Sequence, residues 1–108
     1  MRHLKAKDCA ILPLVLKKKW YDMIASCEKK EEYREAKPYW QKRISKWLAS
    51  EKDYHVVAFS LGYKKADMFF LIKKIDIFSQ SKCYLKTEWG EEEGAHYTIQ
   101  LSERVILD

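Results

Sequence analysis

Lys29, Glu32 and Arg34 stand close together in the stretch CEKKEEYREAKPYW, residues 27–40. Brought together in a cleft, three such side chains would recognise a polar heterocycle beside a phosphate. A carboxylate accepts from an exocyclic amine, and a guanidinium offers a fork to phosphate oxygens or to acceptors on a base. In a catalyst, Lys29 would polarise a carbonyl or activate a nucleophile, and Glu32 would shuttle a proton. A carboxylate held beside two cations stays ionised and is a poor proton acceptor unless it is desolvated. That tilts the reading towards recognition. The same run also suits a solvated surface of ion pairs with little energetic consequence.

Other side chains extend the candidate site. Lys17, Lys18, Lys19, Lys37, Lys42 and Arg43 are placed to contact phosphates, although each also reads as an ordinary surface charge. Tyr39 and Trp89 lie off the apolar stripes or beside a turn, where an aromatic ring can stack on a base. Trp20, Trp40 and Trp47 fall at helical spacing and read as core. The acidic turn at 91–93 would repel RNA, which puts a binding face elsewhere. Residues 1–54 hold 14 Lys/Arg against 8 Asp/Glu, a charge of +6, whereas residues 55–108 hold 7 against 8, or −1. A basic half rich in Trp and Tyr suits a polyanion or nucleotide partner.

Helices and strands must position these residues. CAILPLVL, residues 9–16, reads as a first strand, and Pro13 marks it as irregular or at an edge. Trp20, Met23, Ile24 and Cys27 recur at i, i+3, i+4 and i+7, so a helix follows and ends near Ser26 or Cys27. Residues 31–36 read either as more helix, which propensity favours, or as a strand. In the strand reading, Glu32 and Arg34 share one face and Tyr33 and Glu35 the other. Pro38 sets a break and opens a second helix, from 38 to about 49, with Trp40, Ile44, Trp47 and Leu48 as its apolar positions. Segments 54–63, 67–78, 83–90 and 95–103 are rich in β-branched and aromatic residues and read as strands, with a last short strand at RVIL. A helical N-terminal third followed by meandering strands predicts one small α+β domain over residues 1–108. Its five to six strands are expected to curl into a β-barrel.

The signature and its setting resemble the ASCH domain family of the PUA-like superfamily. The family pattern is Gly-x-Lys-x-x-Glu-x-Arg, and here it reads C-E-K-K-E-E-Y-R, residues 27–34. Lys29, Glu32 and Arg34 match, and Cys27 takes the Gly position. The preceding strand and helix, ILPLVLKKKWYDMIAS, are also similar to the family's N-terminus. The resemblance implies a PUA-like barrel with flanking helices, a cleft beside the signature, and RNA binding or action on a modified nucleoside. Some members hydrolyse the amide of N4-acetylcytidine with a Lys, a hydroxyl residue and a Glu. Where those members carry Thr, this chain has Glu32. A Gly at a helix C-terminus supplies a left-handed turn, so Cys27 is expected to cost roughly 1 kcal/mol there.

Several classes are set aside by composition. Three dispersed cysteines make no disulfide framework and read as small buried hydrophobes. Neither they nor the three dispersed histidines have zinc-ligand spacing. No metal or other cofactor is expected. There is no 18-residue apolar run and no signal-peptide pattern, which points to a soluble cytoplasmic protein without a membrane partner. Three functions compete: an RNA- or nucleotide-binding module, a small hydrolase acting on a modified nucleoside or RNA, and a protein-interaction domain. The last would require an exposed apolar patch and no polar cleft.

Overall fold

A computed structural model of the chain describes residues 1–78 and 96–108. The strand expected at 83–90, Cys83, Trp89 and the acidic turn at 91–93 lie outside the described residues. In chain order the elements are β1 (Arg2–Leu4), a 3-10 turn (Ala6–Asp8), β2 (Cys9–Leu16), α1 (Lys18–Ala25), β3 (Glu31–Glu35) and α2 (Pro38–Leu48). They continue with β4 (Tyr54–Leu61), β5 (Met68–Phe78) and β6 (His96–Leu107). The strands form one six-stranded sheet in the order β1-β6-β5-β4-β2, with β3 paired to β6 off this path. The β1–β6 and β2–β4 pairs are parallel, and the other pairs are antiparallel. Among the described residues the fold is mixed α+β with one six-stranded sheet and two helices, and the sheet they form is open, so the expected barrel is not shown by it.

β2 shows how sequence becomes position. Leu12, Leu14 and Leu16 are buried while Ile11, Pro13 and Val15 are exposed, the alternation of a strand with one covered face. Among the described strands β2 pairs only with β4 and ends the strand path, where Pro13 does not interrupt a ladder. Its inward leucines join Ile24 of α1, Ile44 and Trp47 of α2, and Phe59 of β4 in the main core. Each such buried side chain contributes roughly 1.5–3 kcal/mol. A smaller cluster of Leu4, Cys9, Val56 and Val105 closes the other end of β2, near the chain termini.

Residues 31–35 settle as a strand, against their helix propensity. The first helix stops at Ala25 because Cys27 takes a left-handed conformation, with φ 66. Its N–H donates to Ile24 O at 3.1 Å, and the Lys29 N–H donates to Met23 O at 3.0 Å. This is a close relative of the Schellman cap, which reverses the chain and satisfies the last carbonyls. The chain then pairs antiparallel with β6, from Glu31 opposite Gln100 to Glu35 opposite His96. Pairing with a distant strand outweighs the local preference of Glu, Arg and Ala for helix.

Other expectations need correction. Cys27 is exposed rather than buried, whereas Cys9 is buried as expected. Leu48 lies on the solvent side of α2. The two segments read as strand 95–103 and a last strand at RVIL are one continuous β6. β1, only three residues long, pairs with the end of β6 and had no signal of its own.

Candidate functional site

α1 and α2 both begin at one place. The residue before α1 is Lys17 and the residue before α2 is Lys37, both extended. Neither side chain caps its helix, and neither first turn holds an acid. Most helices place Ser, Thr, Asp or Asn at this position and acids just after it. Here a lysine stands beside each helix start, and the nearby carboxylates, Glu32 and Glu35, come from β3 rather than from the helices' own first turns. Backbone N–H groups at such ends favour an anion.

Between them lies a cleft of about 560 Å³ lined by Val15, Leu16, Lys17, Trp20, Glu32, Arg34, Glu35, Lys37 and Trp40. The pairing of β3 with β6 sets Glu32 opposite Ile99 and Arg34 opposite Tyr97. Both side chains therefore share the face of the main core and meet the cleft above it. Glu32 is 2% exposed. Its Oε2 lies 2.8 Å from Arg34 Nη2. Arg34 also donates through Nη2 to Val15 O at 3.1 Å, and its guanidinium lies 5.2 Å from the Trp40 ring centroid. Its Nε is shielded from solvent and makes no hydrogen bond. One donor of the fork is thus uncommitted, at a desolvation cost of about 1–3 kcal/mol. Lys37 Nζ lies 2.8 Å from Glu35 Oε2.

Lys29 is 6% exposed, unusually low for a lysine. Its Nζ lies 4.1 Å from the Tyr33 ring centroid and 5.4 Å from that of Trp20. Stacking against aromatic faces partly replaces the lost hydration of the ammonium. Lys29 does not line the cleft directly, but it adjoins Trp20, which does. Trp20 and Trp40, read as core from their spacing, pack against the core and also wall the cleft.

The remaining candidates divide. Lys18 is exposed and pairs with Asp22 at 2.6 Å, and Lys19 Nζ lies 4.8 Å from the Trp20 ring centroid. Tyr39, Lys42 and Arg43 line a second recess on the other flank of α2. Sequence reasoning missed Lys46, which lines that recess too. It also missed Tyr63, fully exposed beside Lys64 and Lys65 in the turn after β4. The Gly62 N–H in that turn donates to Leu16 O at 3.0 Å, which sets the turn beside the cleft. A Gly-Tyr-Lys-Lys sequence was the only signal available.

Among the described residues, no group of three His, Cys, Asp or Glu is placed to hold a metal ion. Among them also, no helix is long and apolar enough to cross a membrane. Comparison of the chain with protein-family models, with curated proteins and with solved structures found no match.

Proposed function

We propose that this chain is an ASCH-like, PUA-like barrel domain that binds RNA or a nucleotide. A base enters between Trp20 and Trp40, Glu32 and Arg34 read its polar edge, and Lys17 and Lys37 hold an adjoining phosphate. The observation that carries this reading is the cleft itself. A carboxylate that is 2% exposed sits beside a guanidinium in a cleft that two tryptophans and the basic starts of both helices also line. A buried carboxylate is costly even beside a guanidinium, and recognition of a ligand is a reason for keeping it. Aromatic walls suit a flat ring, the carboxylate suits an amine, and the helix ends suit a phosphate. The resemblance of residues 27–34 to the ASCH signature points to the same ligand class, and an RNA partner fits a cytoplasmic protein.

The test is a binding screen of nucleosides, modified nucleosides, nucleotides and short RNAs at low salt, with turnover followed by chromatography. Saturable binding that differs between bases, without turnover, is the expected result. If no nucleoside, nucleotide or RNA binds at low salt, the reading fails.

One observation supports a second reading, hydrolysis of a modified nucleoside in the manner of an N4-acetylcytidine amidohydrolase. Lys29 is almost fully buried beside a wall of the cleft, where an ammonium could polarise an amide carbonyl. Turnover of N4-acetylcytidine by the wild type, abolished by Lys29→Met, would select this reading over pure binding.

A further inference from the structure

The second recess, of about 630 Å³, lies between β2 and the other flank of α2 and shares no lining residue with the cleft. Its floor is the strand segment Ala10–Pro13 with Trp47, and its wall is Tyr39, Lys42, Arg43 and Lys46 of α2. Three cations and no carboxylate line it. Tyr39 is 58% exposed, and the Arg43 guanidinium lies 4.4 Å from its ring centroid. A cationic wall and a presented aromatic ring suit a strand that carries phosphates on one side and flat rings on the other.

An acidic peptide adding to the edge of β2 would meet the same charges, but the strand is poorly prepared for it. Pro13 offers no N–H to a new strand. Ala10 O already accepts from Trp47 Nε1 at 2.8 Å, and Val15 O accepts from Arg34. Strand addition depends on such main-chain groups. The side chains, not the backbone, are what the recess presents.

The two recesses are consecutive. One takes its strand wall from Ala10–Pro13 and the other from Val15 and Leu16. The Tyr39 and Trp40 rings, one in each recess, meet edge to face with centroids 5.0 Å apart. From Leu12 to Leu16 along β2 is about 13 Å at a strand's rise per residue. A single nucleoside engages one recess at a time, and a short chain of nucleotides is long enough to reach both. We infer that the ligand of the cleft is one nucleotide within single-stranded RNA. Lys42, Arg43 and Lys46 hold the phosphates of its neighbours, and Tyr39 stacks on an adjoining base. This inference rests on the nucleotide-binding reading of the cleft.

The experiment titrates the wild type and a Lys42→Ala, Arg43→Ala, Lys46→Ala triple variant with two ligands. One is the nucleoside monophosphate preferred by the cleft. The other is a single-stranded RNA of about 8 nucleotides with that nucleotide at its centre. Circular dichroism establishes that the variant is folded, as its three changes are on exposed side chains. The wild type should bind the RNA more tightly than the monophosphate. The triple variant should lose RNA affinity roughly 10- to 100-fold, with a salt slope smaller by about 2, while binding the monophosphate unchanged. Tyr39→Ala should lower RNA affinity at least roughly fivefold.

If the monophosphate binds but the RNA gains nothing, or the triple variant keeps its RNA affinity, the extended site is wrong and the cleft reading stands. If poly-glutamate displaces the RNA as well as a second RNA does, the recess is a site for acidic peptides and the inference is overturned. If neither ligand binds the wild type, the cleft reading falls and this inference with it.

Discussion

The two ends of β2 hold the same kind of ion pair in opposite settings. At the cleft end, Glu32 and Arg34 are 2.8 Å apart with side chains 3% and 18% exposed. At the end near the chain termini, Arg2 and Glu103 are 3.2 Å apart with side chains 48% and 49% exposed. Arg2 also donates to Tyr54 Oη at 3.2 Å, and His3 lies 3.2 Å from Asp108. The outer pairs are screened by water and salt and contribute little to stability. The buried pair has given up hydration for its contacts, an exchange that seldom stabilises a fold over apolar side chains of similar size. That cost is consistent with the ligand-recognition role proposed for the pair.

The largest perturbation of this contrast is Arg34→Ala. It withdraws the guanidinium from a carboxylate that is 2% exposed, and should cost about 3–5 kcal/mol of stability in urea unfolding. The double replacement Glu32→Leu with Arg34→Met should cost less than Arg34→Ala alone, while abolishing ligand binding. If the double variant is the less stable of the two, the pair supports the fold and the contrast between the two ends breaks down.

Cys27 gives a smaller effect of opposite sign. At φ 66 its side chain strains the turn that delivers Lys29 and β3. Cys27→Gly should therefore stabilise by about 1 kcal/mol, less the entropy that Gly adds to the unfolded chain, seen as a raised melting temperature. Cys27→Val should lower it. At the other end, Arg2→Ala should change the urea midpoint little, and that small loss should fade as salt is raised.

Cys9 and Cys27, the two cysteines among the described residues, report on the two ends with the least disturbance. Burial pushes the Cys9 thiol above its ordinary pKa, and its Sγ donates to Lys5 O at 3.4 Å. Alkylation followed by peptide mass spectrometry should label exposed Cys27 well before Cys9. The folded pKa of Cys9 lies above the unfolded one, so the unfolded chain loses its thiol proton first. Cys9 therefore favours the fold below about pH 8.5, and that contribution falls away as pH rises through the folded pKa. Cys9→Ala should flatten the alkaline part of the stability profile.

How much of this was legible in the sequence varies with the range of the forces involved. β2 was read at its observed bounds, because an apolar run containing Pro13 is a local signal of an edge strand. α2 was read within one residue, because Pro38 marks its start. β3 was ambiguous, because its strand character depends on β6, far along the chain. The cleft was legible in its signature residues but not in its walls. Helical spacing places Trp20 and Trp40 against the core, and it does not reveal that both also line the cleft that holds Glu32. Lys46 looked like any helix lysine until α2 was set against β2. The strand expected to follow β5 falls outside the described residues, and curling into a barrel is not shown by the open sheet.

The central claim is that Glu32 and Arg34 discriminate between ligands whereas the outer lysines only attract them. The direct test is a calorimetric panel of short RNAs that differ in one base, at constant salt, for the wild type, Arg34→Lys and Lys18→Ala. Lysine keeps the charge but loses the planar fork, so Arg34→Lys should lose affinity for the preferred base most and flatten the panel. Lys18→Ala should weaken every RNA about equally and reduce the salt slope by about 1. Equal losses across the panel for both variants would contradict the account and return residues 27–40 to a solvated charged surface.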